Sequence, residues 1–147
     1  MKVQELIVTE VIQSALEDCV GAAAKRMSDQ AVGCLVVTED GAIKGIITHR
    51  DLLRCVGQGH DPSRCRVSTH MSRPVYVLGP EENLASAAEV MRRRRVKRLP
   101  IASNGKLLGI VSLSDLARFA ASDLKASMRL ICSLIEAPQT ATVTRGL

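Results

Sequence analysis

Apolar residues at Val20, Ala23, Ala24 and Met27 fall at i, i+3, i+4 and i+7, and Leu84, Ala87, Ala88 and Met91 repeat that spacing. Such a spacing lines one stripe of a helix. It predicts helices over about 18–28 and 83–94, each with acids at its start (Glu17-Asp18, Glu81-Glu82) where the dipole is positive. Apolar runs rich in β-branched residues follow, and they read as strand pairs, 34–38 with 43–48 and 99–102 with 107–112. Asp40-Gly41 and Asn104-Gly105 stand between the members of each pair and predict tight hairpins. Short helices at 50–56 and 114–121 close each unit. Helical turns at 3–7 and 67–71 and short strands at 11–13 and 75–78 lead into them.

The two halves match at an offset of 64 residues without a gap: Val11 meets Val75, Met27 meets Met91, Leu35 meets Leu99, Gly45 meets Gly109 and Asp51 meets Asp115. Two copies of one β-α-β-β-α unit explain this, giving an α/β (α+β) fold. The units take residues 1–60 and 61–121, and the turn-rich stretch 57–63 links them. Residues 122–147 then carry a helix with Leu124, Met128, Ile131 and Ile135 on one face, ended by Pro138. That face could cover the chain's own core or a second copy.

A net charge of +5 draws anions, which could be nucleic acid, phosphorylated small molecules or lipid headgroups. Tyr76 and Phe119 are the only aromatics, so the stacking platforms of single-strand binders are missing. Apolar runs are strand-length and the N-terminus lacks a signal-peptide core, so the expectation is a cytoplasmic protein that does not span a membrane. Five cysteines without a C-x-x-C pair are read as reduced thiols. Cys55, His60, Cys65 and His70 recur every five residues and are metal-capable types. The spacing matches no common zinc pattern and Cys55 falls on a buried helix face, so no metal is assigned. No nucleophile-base pairing, Walker loop or H-E-x-x-H is present, and no enzyme activity or catalytic cofactor is expected.

The candidate chemistry sits at Gly45-Ile46-Ile47-Thr48-His49-Arg50-Asp51 and at Gly109-Ile110-Val111-Ser112-Leu113-Ser114-Asp115. Each run passes from a buried strand into a helix N-terminus, where free amides, a hydroxyl and a carboxylate can hold a phosphate or a diol. A plainer use is open at the same residues. Thr48 and Ser112 would cap their helices, with Asp51 and Asp115 completing capping boxes.

The duplicated G-h-h-[ST]-x-x-D pattern, in this order of elements, resembles the cystathionine β-synthase (CBS) domain, and two in tandem resemble a Bateman module with pseudo-two-fold symmetry. Val96-Lys97-Arg98-Leu99-Pro100 followed by 109–115 is similar to a nucleotide-binding repeat of the γ subunit of AMP-activated protein kinase. The resemblance implies an adenosine ligand (AMP, ADP, ATP or S-adenosylmethionine) bound for regulation between the repeats. By it, Asp115 and Asp51 would take ribose hydroxyls, and Ser112, Ser114 and Thr48 would meet ribose or phosphate. Lys97 and Arg98 would hold phosphate, while Val75, Tyr76, Val77 and Ile110 would wall the adenine. The first copy has Gly33 and Cys34 where the second has Lys97 and Arg98, leaving Arg50 as a substitute cation, so the Asp115 site is expected to be the better one. A homodimer and a regulated partner protein are also implied. The run Arg92 to Arg95 reads first as a solvated helix end. A nucleic-acid stripe over 92–98, or a dimerisation scaffold with unused sites, are the competing functions.

Overall fold

The computed structural model describes residues 1–122, 128–129 and 131–132. A 3-10 turn (Val3–Glu5) precedes β1 (Gln13–Ala15), α1 (Val20–Asp29), β2 (Cys34–Glu39), β3 (Ala42–Thr48) and α2 (His49–Gly57). The second passage runs α3 (Val67–His70), α4 (Leu84–Arg94), β4 (Arg98–Ser103), β5 (Lys106–Ser112) and α5 (Leu113–Ser122). The C-terminal helix expected after residue 121 lies, apart from those last four positions, outside the described residues.

β1 runs parallel to β2, and β2 antiparallel to β3; β4 and β5 form the matching antiparallel pair. The strand expected at 75–78 is reduced to one parallel bridge, Leu78 to Ile101, in the register of Ser14 to Val37 one repeat earlier. In the first repeat Val36 N–H donates to Ile12 O at 3.2 Å; the residue equivalent to Val36 is Pro100, which has no N–H to donate, so the ladder is lost before Leu78. Both hairpins turn as their sequences require. Asp40 and Gly41 have φ of 50° and 79°, Asn104 and Gly105 50° and 74°.

Two cores form, and each borrows from the other copy. Val20, Met27, Leu35, Val37, Ile47 and Cys55 pack with Val67 and Met71. Leu84, Met91, Leu99, Ile101, Val111 and Leu116 pack with Val3, and Leu6 and Ile7 lie against them. The leading segment of each repeat therefore belongs, by packing, to the opposite core. Backbone bonds fix the exchange symmetrically: Val3 N–H donates to Glu82 O and Val67 N–H to Asp18 O, each at 2.8 Å. Val8 bridges Ile110 and Ser72 bridges Ile46. Glycine opens each motif because these segments cross there. A Cβ at Gly109 would stand 2.9 Å from Val8 O, and one at Gly45 would stand 2.3 Å from Met71 Sδ.

The helix caps are Cys19, whose Sγ accepts from Ala22 N–H at 3.3 Å, and Asn83, whose Oδ1 accepts from Ser86 N–H at 2.8 Å. Asp18 has a different task. Its Oδ2 accepts from Ser14 Oγ (2.8 Å), Ala15 N–H (3.0 Å) and Arg26 Nη1 (3.0 Å), tying β1 to α1. Burial alone would push this carboxyl up, but the Ala15 amide, the Ser14 hydroxyl and the Arg26 guanidinium outweigh it and hold it low. A depressed carboxylate stabilises the fold above its ordinary pKa and loses that contribution as pH falls through the folded value. Asp18→Asn is expected to cost about 1–2 kcal/mol at neutral pH and to flatten the acid limb of the stability curve below about pH 4, read by denaturant titration across pH.

Candidate functional site

A cleft of about 370 Å³ opens between the repeats, within the range of ligand pockets. Its floor is the β3–α2 junction, where Thr48 caps α2 and Asp51 closes a capping box. Asp51 Oδ2 accepts from Thr48 N–H at 2.8 Å and from Thr48 Oγ1 at 3.1 Å. The carboxylate is 3% exposed, with Arg54 Nη1 3.6 Å from Oδ1. A charge so buried is kept by these partners. Capping occupies Oδ2; Oδ1 keeps lone pairs for further donors.

The opposite wall comes from the second repeat. Arg95 and Lys97 enter from the turn before β4, Arg98 from its first position, and Val75 and Tyr76 from the segment after α3. Five cations therefore line the cleft, Arg50, Arg54, Arg95, Lys97 and Arg98, against the single carboxylate of Asp51. Arg95 ends α4 in the left-handed conformation, φ 54°, which turns the chain into the cleft. Arg94 lies 4.6 Å from the centre of the Tyr76 ring, and Arg92 pairs with Glu89 at 2.7 Å. The arginine run is thus divided between helix surface, ring face and cleft.

Of the residues picked from sequence, Thr48, Arg50, Asp51, Val75, Tyr76, Lys97 and Arg98 line this cleft together. Ser112, Ser114, Asp115, Ile110 and Val77 do not line it, although Lys97 O accepts from Leu113 N–H at 2.9 Å and Arg98 pairs with Ser112 across β4 and β5. The pseudo-two-fold axis sets the strand end of one repeat against the other repeat's basic turn. Ile46 lines the cleft where Ile110 was expected; Ile110 instead bridges Val8. Asp115 completes its own capping box, accepting from Ser112 N–H at 2.8 Å and Ser112 Oγ at 2.6 Å, and its other oxygen pairs with Arg118. Val77 and Ser114 are exposed.

The space beside Gly33 in the first copy is filled by a cation of the second. A Cβ at Gly33 would lie 2.6 Å from Arg98 Nη2 and 3.6 Å from His49 Cε1, so the guanidinium occupies the space a side chain would take. Burial pushes the neighbouring Cys34 thiol up, and the charge of Arg98 pulls it partly back. Gly33→Val is expected to displace Arg98, whose end is flexible, rather than the backbone. The fold should lose less than about 1 kcal/mol, measured by thermal unfolding.

A family model for the CBS domain matches residues 17–58 and 67–122. The CBS domain-containing protein YhcV of Bacillus subtilis is 35% identical over 116 residues, spanning 78% of this chain and 82% of that protein. The structure of a protein with CBS domains from Burkholderia ambifaria superposes with a TM-score of 0.79 at 27% identity, covering 84% of this chain and 96% of that one. A hexameric CBS-CP12 protein from bloom-forming cyanobacteria gives 0.73 at 27% identity, covering 92% and 88%. Among the described residues no helix is long and apolar enough to cross a membrane. With two matched segments in tandem on two exchanged cores, this chain belongs to the CBS-domain family and carries the domain as a pair.

Proposed function

We propose that the cleft at Asp51 binds an adenine nucleotide, and that occupancy is passed to a second copy of the chain or to a regulated protein. The observation that carries this is the pairing of one buried, pinned carboxylate with five cations across a single cleft. Asp51 Oδ1 suits a ribose diol, and Arg50, Lys97 and Arg98 suit phosphate. Ile46, Val75 and the Tyr76 ring give an apolar wall for the base.

The charge balance discriminates among adenosine compounds. S-adenosylmethionine carries a sulfonium and an ammonium into a cleft already rich in cations, whereas each added phosphate gains attraction. AMP, ADP and ATP are therefore favoured. Transmission needs only that the ligand prefers one arrangement of the repeats or of the oligomer. Leu53 and Val56, 74% and 60% exposed on α2, offer an apolar surface for a second copy, in keeping with the hexameric relative.

Thermal unfolding with AMP, ADP, ATP, adenosine and S-adenosylmethionine tests the reading. At about 100 times Kd a nucleotide should add about 2.7 kcal/mol, raising Tm by about 5–10 °C, with adenosine and S-adenosylmethionine well below. A Tm unmoved by every compound at millimolar concentration would remove the sensor reading and leave a dimerisation scaffold. Sedimentation with and without nucleotide reads the coupling to assembly.

A further inference from the structure

Away from the cleft, the stretch joining the two repeats folds four metal-capable side chains onto one point. Cys55 comes from the last turns of α2, His60 and Cys65 from the loop after it, and His70 ends α3. Their ligand atoms all lie within 4.8 Å of one another. In a tetrahedral zinc site, Zn–S near 2.3 Å and Zn–N near 2.0–2.1 Å put the ligand atoms roughly 3.3–3.8 Å apart. The widest separation here needs to close by about 1–1.5 Å, within the reach of side-chain rotation.

We propose that Cys55, His60, Cys65 and His70 bind one zinc ion, which clips the inter-repeat linker and α3 to the end of α2. Two thiolates and two imidazoles in a tetrahedral set are the donors that borderline-soft zinc prefers over hard cations.

The backbone holds these four positions ready. His60 N–H donates to Cys55 O at 3.1 Å, and Gly59, at φ +75°, reverses the chain after α2. Asp61 Oδ1 accepts from Ser63 N–H at 2.9 Å, and Asp61 O accepts from Cys65 N–H at 3.0 Å, closing the loop over its own turn. The loop is moored to α1 through Val20 N–H to Cys65 O and Gly21 N–H to Pro62 O, at 2.8 and 2.9 Å. Burial grades from enclosed Cys55 through half-buried Cys65 and His70 to exposed His60, which gives an ion a protein-lined floor and an open side for entry. The two imidazoles meet edge to face with centroids 5.4 Å apart, and neither ring makes a hydrogen bond among the described residues, so their nitrogens have lone pairs to give.

The test uses the full chain purified under reducing conditions without chelator. Elemental analysis should find one zinc per chain. Cobalt added to the stripped protein should give the visible bands of a tetrahedral ion together with near-ultraviolet thiolate-to-cobalt charge transfer. Stripping should lower Tm by about 5–10 °C, reversed by zinc. Cys55 is fully buried and its loss could unfold the chain, so the variants are Cys65→Ser and His60→Ala at less buried positions. Each should lose the stoichiometric zinc and the cobalt spectrum while remaining folded by circular dichroism. The inference is overturned if the reduced wild-type chain holds no zinc and gives no tetrahedral cobalt spectrum, if Cys55 and Cys65 are joined as a disulfide that excludes metal under those conditions, or if both variants retain the wild-type spectrum.

Discussion

Replacing Asp51 by alanine is expected to weaken nucleotide binding by at least about 100-fold, while Asp115→Ala leaves binding unchanged, although the two carboxylates do the same work for the fold. Each closes a capping box on the residue three positions before it, with amide bonds of 2.8 Å in both. Each alanine variant should therefore lose a similar 0.5–2 kcal/mol, about the value of a cap. What differs is the opposite wall. Asp51 faces Lys97 and Arg98 across the cleft, whereas the positions equivalent to those cations in the first repeat are Gly33 and Cys34. Two ribose hydroxyls given to a carboxylate are worth about 1.5–3 kcal/mol each, which sets the size of the loss. The measurement is calorimetric titration with ATP, alongside denaturant unfolding to confirm equal stability. Equal losses of affinity at both positions would mean that the cleft at Asp51 is not the ligand's place.

Most elements were legible because the repeat supplied each signal twice. The helical stripe at Val20 to Met27 is weak alone, but the same spacing at Leu84 to Met91 and the two Asx-Gly turns fix the frame. The lost strand at 75–78 was misread because its apolar run says nothing of its partner strand, where Pro100 stands in place of the donor Val36. The site was half legible. Residue types at the strand ends marked both junctions as candidate sites, and Lys97 and Arg98 do lie beside the Ser112 strand end, but which acid shares a cleft with them was not legible. The pseudo-two-fold axis pairs the basic turn of one copy with the acid of the other. One signal for that pairing was present: glycine at 33, where its counterpart is Lys97, is the small partner that admits the large Arg98 side chain. The Cys-His period of five was visible but matched no regular element. Backbone bonds of the loop, at Cys55, Asp61 and Cys65, bring those four residues to one point.

Exchange of the leading segments also means that neither repeat should fold when separated from the other. Residues 61–122 expressed alone are expected to give no cooperative unfolding transition, because the second core would lack Val3, Leu6 and Ile7 while Val67 and Met71 would have no core to enter. Full burial of one such side chain contributes about 1.5–3 kcal/mol, and the loss of several consumes most of the roughly 5–15 kcal/mol that holds an ordinary domain together. In the intact chain the same exchange couples the halves. Leu35→Ala and Leu99→Ala, equivalent positions in the two cores and both fully buried, should each cost about 2–5 kcal/mol and each lower one shared transition rather than split it. Thermal unfolding followed by circular dichroism reads both results. If the fragment 61–122 melted cooperatively, or if Leu99→Ala produced two separated transitions with the first core unmoved, the borrowed segments would be decoration on two self-sufficient units. The crossing at Gly45 and Gly109, where a Cβ meets the partner segment at 3.0 Å or less, argues for the coupled outcome: the glycines are needed only because the segments lie there.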